Sequence, residues 1–134
     1  MKRLTPDYFL FLFIAFCVVI LDQVSKAAVR NYLPFGDMWA PWPWLLDFAR
    51  IVHWNNTGAA FGMFQNLNGL FTILAIVVSG VILIYYPQLP EDDWILRLAL
   101  GLQLGGAIGN LVDRLRFGTV TDFISVGGFA VFNV

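Results

Sequence analysis

Gly105–Ile124 reads GGAIGNLVDRLRFGTVTDFI, an apolar, glycine-rich helix that ends in polar chemistry. Asn110, Asp113 and Arg114 stand at i, i+3 and i+4, so they crowd one helix face. Arg116 and Asp122 follow at once. Just upstream, Gly101, Gly105 and Gly109 recur every four residues. Such a stripe of small residues lets a second helix approach closely. The stretch therefore predicts a packed helix that delivers polar groups to one edge of an apolar layer.

Composition says what that layer is. The chain has 134 residues, 59% of them apolar and 13% charged, with a mean hydropathy of +0.73. A soluble domain carries about 25% charged residues, so a single membrane domain over residues 1–134 is expected. The net charge of −1 offers no electrostatic ground for a nucleic-acid partner. A lone Cys17 and a lone His53 exclude an internal disulfide and a Cys/His zinc site.

Three spans are expected, at about 8–29, 69–86 and 94–112. Tyr8–Leu21 is too short to cross a hydrocarbon core of about 30 Å, so the first helix must continue through Asp22-Gln23-Val24-Ser25-Lys26. Asp22 then lies at the membrane boundary, four residues from Lys26 and able to pair with it. A basic start followed by Ser25-Lys26-Ala27 also resembles a cleavable signal, but Asp22 and two later spans argue against it. A lipoprotein signal built on Cys17 is opposed by the bulky Phe16, and Cys17 is read as an apolar packing residue. Gly69–Tyr86 is an uninterrupted apolar run, stopped by Pro87.

Between the first two spans, residues 34–68 form a non-membrane cradle with Trp39, Trp42, Trp44 and Trp54, residues suited to the headgroup region. Leu45–Trp54 is rich in β-formers and predicts a strand. Asn56-Thr57-Gly58 reads as a turn, Ala59-Ala60 as small residues that allow close backbone approach, and His53 as a packing residue. Lys and Arg are spread over both sides, so charge alone does not orient the chain. After Arg116 the sequence reaches Val134 without a terminal polar tail, and it reads as incomplete at that end.

Three spans place the end of span one, the loop before span two and the end of span three in one compartment. Asp22/Lys26, Asn56 and Asn110–Asp122 therefore share a side. Ionisable groups at membrane depth are costly and are functional candidates. The bland alternative is an ion-pair network that fixes helix ends. Ser25 and Lys26 are adjacent and do not face each other on a helix, which weakens a Ser–Lys nucleophile. Carboxylates remain, and two that share a proton can activate water and protonate a departing amine. Within this chain Asp122 has only Asp113 or Asp22 as a possible partner. A non-enzymatic membrane subunit using the same polar contacts is the competing class.

The runs Leu21-Asp22-Gln23-Val24-Ser25-Lys26, Asn56-Thr57-Gly58-Ala59-Ala60-Phe61, Gly109-Asn110-Leu111-Val112-Asp113-Arg114, Gly118-Thr119-Val120-Thr121-Asp122-Phe123-Ile124 and Phe132-Asn133-Val134 resemble, in order, the motifs of the lipoprotein signal peptidases (signal peptidase II). The resemblance implies an all-α polytopic fold with a fourth helix beyond the three read here, a small periplasmic β cradle and an interfacial helix. It implies an aspartyl endopeptidase of the bacterial inner membrane, with its active site on the periplasmic side. Such an enzyme removes signal peptides from diacylglyceryl-modified prolipoproteins by cutting before the lipidated cysteine. Membrane lipid and globomycin-type inhibitors are its other implied partners. No metal or other cofactor is implied, and a monomer is expected.

Carried over by position, Asp122 matches one catalytic aspartate, with Thr121 where an aliphatic residue is common. Asn56, Asn110, Arg114 and Asn133 match substrate-binding polar residues. Asp22, Lys26 and Asp113 match supporting ones. The second catalytic aspartate is expected just beyond Val134, so these 134 residues alone are expected to be inactive, at most a lipopeptide-binding remnant.

Overall fold

The computed structural model describes residues 5–57 and 67–134. Three long helices run through it: α1 (Pro6–Tyr32), α2 (Asn68–Tyr85) and α3 (Trp94–Phe117). All three are long and apolar enough to cross a membrane, with mean hydropathies of 2.2, 2.3 and 1.5 in their best windows. The lower value of α3 reflects the polar residues of its last turns. At about 1.5 Å per residue, α1 and α3 reach roughly 40 and 36 Å, past the apolar core.

Local chemistry sets the helix ends. Pro6 opens α1 where a missing N–H costs nothing, and extended Leu33 with Pro34 closes it. The Asp93 carboxylate caps α3 by accepting from the Leu96 N–H at 3.1 Å. Gly118, at φ +72°, ends α3 in the left-handed conformation, and its N–H donates to the Arg114 carbonyl. That turn aims the chain directly into a strand.

The buried residues of α1 are Phe11, Ala15, Asp22, Lys26 and Val29, a single stripe at helical spacing. It meets the buried stripe of α3, formed by Gly101, Leu104, Gly105, Gly109 and Asp113. The expected glycine stripe is thus the α1–α3 seam. A Cβ at Gly105 would stand 2.8 Å from the Ala15 carbonyl oxygen, and one at Gly109 would meet the Asp22 carboxylate. Cys17, expected to pack, faces outward from α1 instead.

Outside the bundle lies a three-stranded antiparallel sheet of order β1-β2-β3, with β1 at Met38–Trp39, β2 at Ala49–Asn56 and β3 at Val120–Val126. The strand expected over Leu45–Trp54 begins later, because Pro43–Leu45 winds into a 3-10 turn. That turn is the helical element seen in the cradle among the described residues. Its own Trp44 and the nearby Trp39 and Trp42 are exposed, and Trp42 stacks on Trp44. β3 is an element the sequence reading misses, since Asp122 and the nearby glycines draw attention from the β-formers Val120, Thr121, Phe123, Ile124 and Val126. It forms because β2 offers a paired edge, with Asn56 opposite Val120 and Trp54 opposite Asp122. His53 packs as expected, its Nδ1–H donating to the Leu33 carbonyl at 2.8 Å. Of the turn expected at Asn56-Thr57-Gly58, Asn56 is instead the last residue of β2, where it pairs with β3, and Gly58 lies outside the described residues.

Candidate active site

The polar residues at the C-terminal ends of α1 and α3, and those that the sheet and the last residues bring beside them, form two adjoining groups. The first is an ion network inside the bundle. Asp22, Lys26 and Asp113 are all fully buried. Lys26 Nζ stands 2.8 Å from Asp22 Oδ2 and 3.1 Å from Asp113 Oδ2. It also donates to Asn110 Oδ1 at 2.9 Å. Its three protons therefore have three acceptors, the condition for tolerating a buried ammonium.

Asp113 is equally committed. Its Oδ1 accepts from Gln23 Nε2 at 3.1 Å and lies 3.8 Å from Arg30. Its Oδ2 accepts from Lys26 and from the Thr121 backbone N–H at 3.0 Å. A carboxylate so bound at both oxygens is poorly placed to share a proton with Asp122. Asp22 and Lys26 pair along one helix face, as their spacing predicts, and Gln23 adds a bond from its Nε2 to Asp22 at 3.0 Å.

The second group is Asp122 and its two amides. Strand pairing puts Asn56 of β2 diagonally beside Asp122, and Asn56 Nδ2 donates to Oδ2 at 3.1 Å. Phe132 exchanges backbone hydrogen bonds with Ile124 at 2.7 and 2.9 Å, which docks the last residues along β3. Asn133 is thereby brought to Asp122, and its Nδ2 donates to Oδ1 at 2.6 Å. Asp122 is 4% exposed. Burial pushes its carboxyl above the ordinary value of 3.8, against the opposing pull of the Asn133 and Asn56 bonds and of the Lys26 charge. A carboxyl shifted this way can hold and release a proton nearer neutrality.

The sequence-predicted residues thus divide. Asp122, Asn56 and Asn133 come together. Asp22, Lys26, Asn110 and Asp113 come together behind them, so Asn110 serves the Lys26 ammonium. Arg114 sits on α3 with its guanidinium 5.7 Å from the centre of the Phe71 ring and within electrostatic reach of Asp122 and Asp113. Sequence reasoning overlooks Gln23 and Arg30. Arg30 has a signal, since 22, 26 and 30 recur every four residues on one face of α1. Gln23 has none, because its reach to α3 depends on the glycine-narrowed seam.

Comparisons with known proteins agree with one another. The family model described as Signal peptidase (SPase) II matches residues 14–134. A lipoprotein signal peptidase of Moorella thermoacetica is 42% identical over 92% of this chain and 81% of its own length. One from Caldanaerobacter subterraneus is 47% identical over 87% of this chain and 79% of its own. A solved bacterial membrane enzyme superposes with a TM-score of 0.80 at 31% identity, covering 92% of this chain and 76% of that one. With three apolar helices and a small antiparallel sheet beside them, the chain belongs to the signal peptidase II family of multi-pass membrane peptidases.

Proposed function

We propose that the family's hydrolytic chemistry runs in this protein through Asp122, as one acid/base of an aspartic endopeptidase acting on diacylglyceryl-modified prolipoproteins just before the lipidated cysteine. The observation that carries this is a buried carboxyl, shifted toward the protonated form, with a neutral amide donating to each of its oxygens. The amide donors favour the ionised form and burial the protonated one, an opposition that suits an acid/base alternating between the two. Asn56 and Asn133 set its direction, and Arg114 lines the same end. The ends of α1 and α3 that carry the site face the periplasm in this reading, across the inner membrane from the amino terminus. The exposed tryptophans of the cradle rest in the headgroup layer, where a lipid-linked substrate arrives.

An aspartic mechanism needs a second carboxyl. Asp113 is a carboxyl whose charge is felt at Asp122, and it is bound to Lys26, as is Asp22. Residues 1–134 by themselves are therefore expected to bind lipopeptide, or a globomycin-type inhibitor, without turnover.

The test is cleavage of a lipid-modified prolipoprotein by the enzyme as the cell expresses it. Asp122→Asn is expected to abolish cleavage while insertion and thermal stability persist. Full activity in that variant would sink the assignment. Brisk turnover by a polypeptide of residues 1–134 would instead restore Asp113 as the partner.

A further inference from the structure

We infer that Arg30 is a positioning residue for the Asp122 carboxyl, acting through the side-chain hydroxyl of Thr121. The inference rests on the reading of Asp122 as an acid/base. Thr121 precedes Asp122 in β3, and strand alternation turns the two side chains to opposite faces. Asp122 meets Asn56 and Asn133 on one face, while Thr121 meets the helices on the other.

Thr121 carries two tethers. Its backbone N–H donates to Asp113 Oδ2 at 3.0 Å, and its Oγ1 accepts from Arg30 Nη1 at 2.9 Å. The residue is 2% exposed. A hydroxyl buried to that degree is costly unless bonded, and Arg30 supplies the bond. Arg30 itself spans three elements. It leaves the last turn of α1, lies 4.5 Å above the Phe117 ring at the end of α3, and reaches β3. Its guanidinium also stands 3.8 Å from Asp113 Oδ1.

The geometry makes Thr121 the fixed point behind Asp122. The two amides aim the carboxyl from the front, but both belong to the sheet and its docked tail and move with them. The Thr121 tethers instead tie the strand to the helices, one residue from the carboxyl. If the hydroxyl is removed, the nearest anionic acceptor left to Arg30 is Asp113 Oδ1. A shift that way pulls on the same carboxylate that holds the Thr121 N–H, so both tethers loosen together. Reacting groups displaced by a small distance lose rate steeply while substrate still binds.

The test measures kcat and KM for cleavage of a lipid-modified prolipoprotein in the enzyme as expressed, with Asp122→Asn run in parallel. Thr121→Val keeps shape and strand preference and removes only the hydroxyl. It is expected to lower kcat about tenfold with KM changed by less than about twofold. Thr121→Ser, which keeps the oxygen, is expected to restore kcat to within about twofold. In an Arg30→Met background, Thr121→Val is expected to add less than about twofold, since both variants break one contact. An unchanged kcat in Thr121→Val, or a full tenfold loss in the Arg30→Met background, overturns the inference. Should Thr121→Val fail to fold, failure of Thr121→Ser to keep its kcat overturns it as well. Activity surviving in Asp122→Asn would instead overturn the reading of Asp122, whatever the Thr121 variants do.

Discussion

The two ends of the helix bundle are held together by different physics. At the end where α1 begins, the contacts are aromatic and apolar. Phe11 stacks on Tyr86 at 3.7 Å, Tyr8 tilts against both, and Ile82, Ala15 and Leu104 close the cluster. Arg97 lies 5.1 Å over the Tyr86 ring and donates to the Leu89 and Pro90 carbonyls. Apart from the Arg97 bonds, such packing is weakly directional and yields gradually to substitution. At the other end, Lys26 is saturated by three acceptors, and Asp113 accepts from Gln23 and Lys26 of α1 and from the Thr121 N–H of β3. Directional groups buried together either all find partners or cost heavily. The directional end also carries Asp122. Precision is thus concentrated where the proposed chemistry would need it, and tolerance at the end that anchors.

The largest effect that separates the ends is expected from Lys26→Met. It takes away the ammonium that both buried carboxylates share, and leaves the more distant Arg30 at 3.8 Å from Asp113. Breaking a buried ion cluster at one member costs about 3–5 kcal/mol, while replacing every member by well-packed apolar groups is often neutral. In detergent, Lys26→Met should unfold at far lower temperature than the parent. The triple variant Asp22→Leu/Lys26→Met/Asp113→Leu should recover much of that loss, yet lose the hold on Thr121. A mild effect of Lys26→Met would show that the network is not what closes this end.

The glycine seam that joins the two ends gives the next effect. Gly105→Ala forces a methyl against the Ala15 carbonyl at 2.8 Å, a backbone atom that cannot move aside. Overpacking of this kind costs about 1–3 kcal/mol. Its neighbour Gly106 has nothing within 4 Å of an added Cβ. Gly106→Ala should therefore be neutral or stabilising by up to about 1 kcal/mol, through helix propensity alone. Thermal shifts of opposite sign from adjacent glycines would map the seam; equal shifts would refute it.

These contrasts also explain what the sequence can disclose. The three spans are legible because hydropathy is a local sum. The Gly101/Gly105/Gly109 stripe and the Asp22–Lys26 pair are legible because helical spacing alone puts them on one face. β3 is not, because its reason for being extended is β2, whose paired residue Asn56 stands opposite Val120 far along the chain. Spacing makes Asp113 a possible partner for Asp122, since it shows that two carboxyls are near but not who else binds them. Gln23, Lys26, Arg30 and the Thr121 N–H take up the Asp113 oxygens only after α1, α3 and β3 have met. Motif resemblance singles out Asn56 and Asn133, and only the β2–β3 pairing together with the docked tail explains how both reach one carboxyl.

At the aromatic end a smaller loss is expected. Phe11→Leu removes the stack on Tyr86 but keeps an apolar side chain in the α1 stripe. A lost aromatic pair is worth about 0.5–1.5 kcal/mol. Cleavage by the expressed enzyme should be unaffected, because the polar tethers behind Asp122 all lie at the other end. A large fall in kcat with an intact fold would mean that the ends are coupled, and that the separation drawn between them is false.

The smallest stability effect expected has the opposite sign and returns to the directional end. Burial raises the folded-state carboxyl of Asp122, so the native chain binds a proton more tightly than the unfolded chain, whose carboxyl titrates near 3.8. Stability then declines as pH rises from about that value through the folded-state value, and the whole penalty is present above it. An amide in place of this carboxyl would carry no charge to desolvate, and one of the flanking amides of Asn56 or Asn133 can flip to offer it an oxygen. Asp122→Asn should therefore melt slightly above the parent at about pH 7, with the gap narrowing as pH falls toward about 4. If the variant instead melts lower at neutral pH, the two amide bonds to the carboxylate outweigh its burial. The site would then be built to keep Asp122 ionised, the form of a general base rather than of a proton donor.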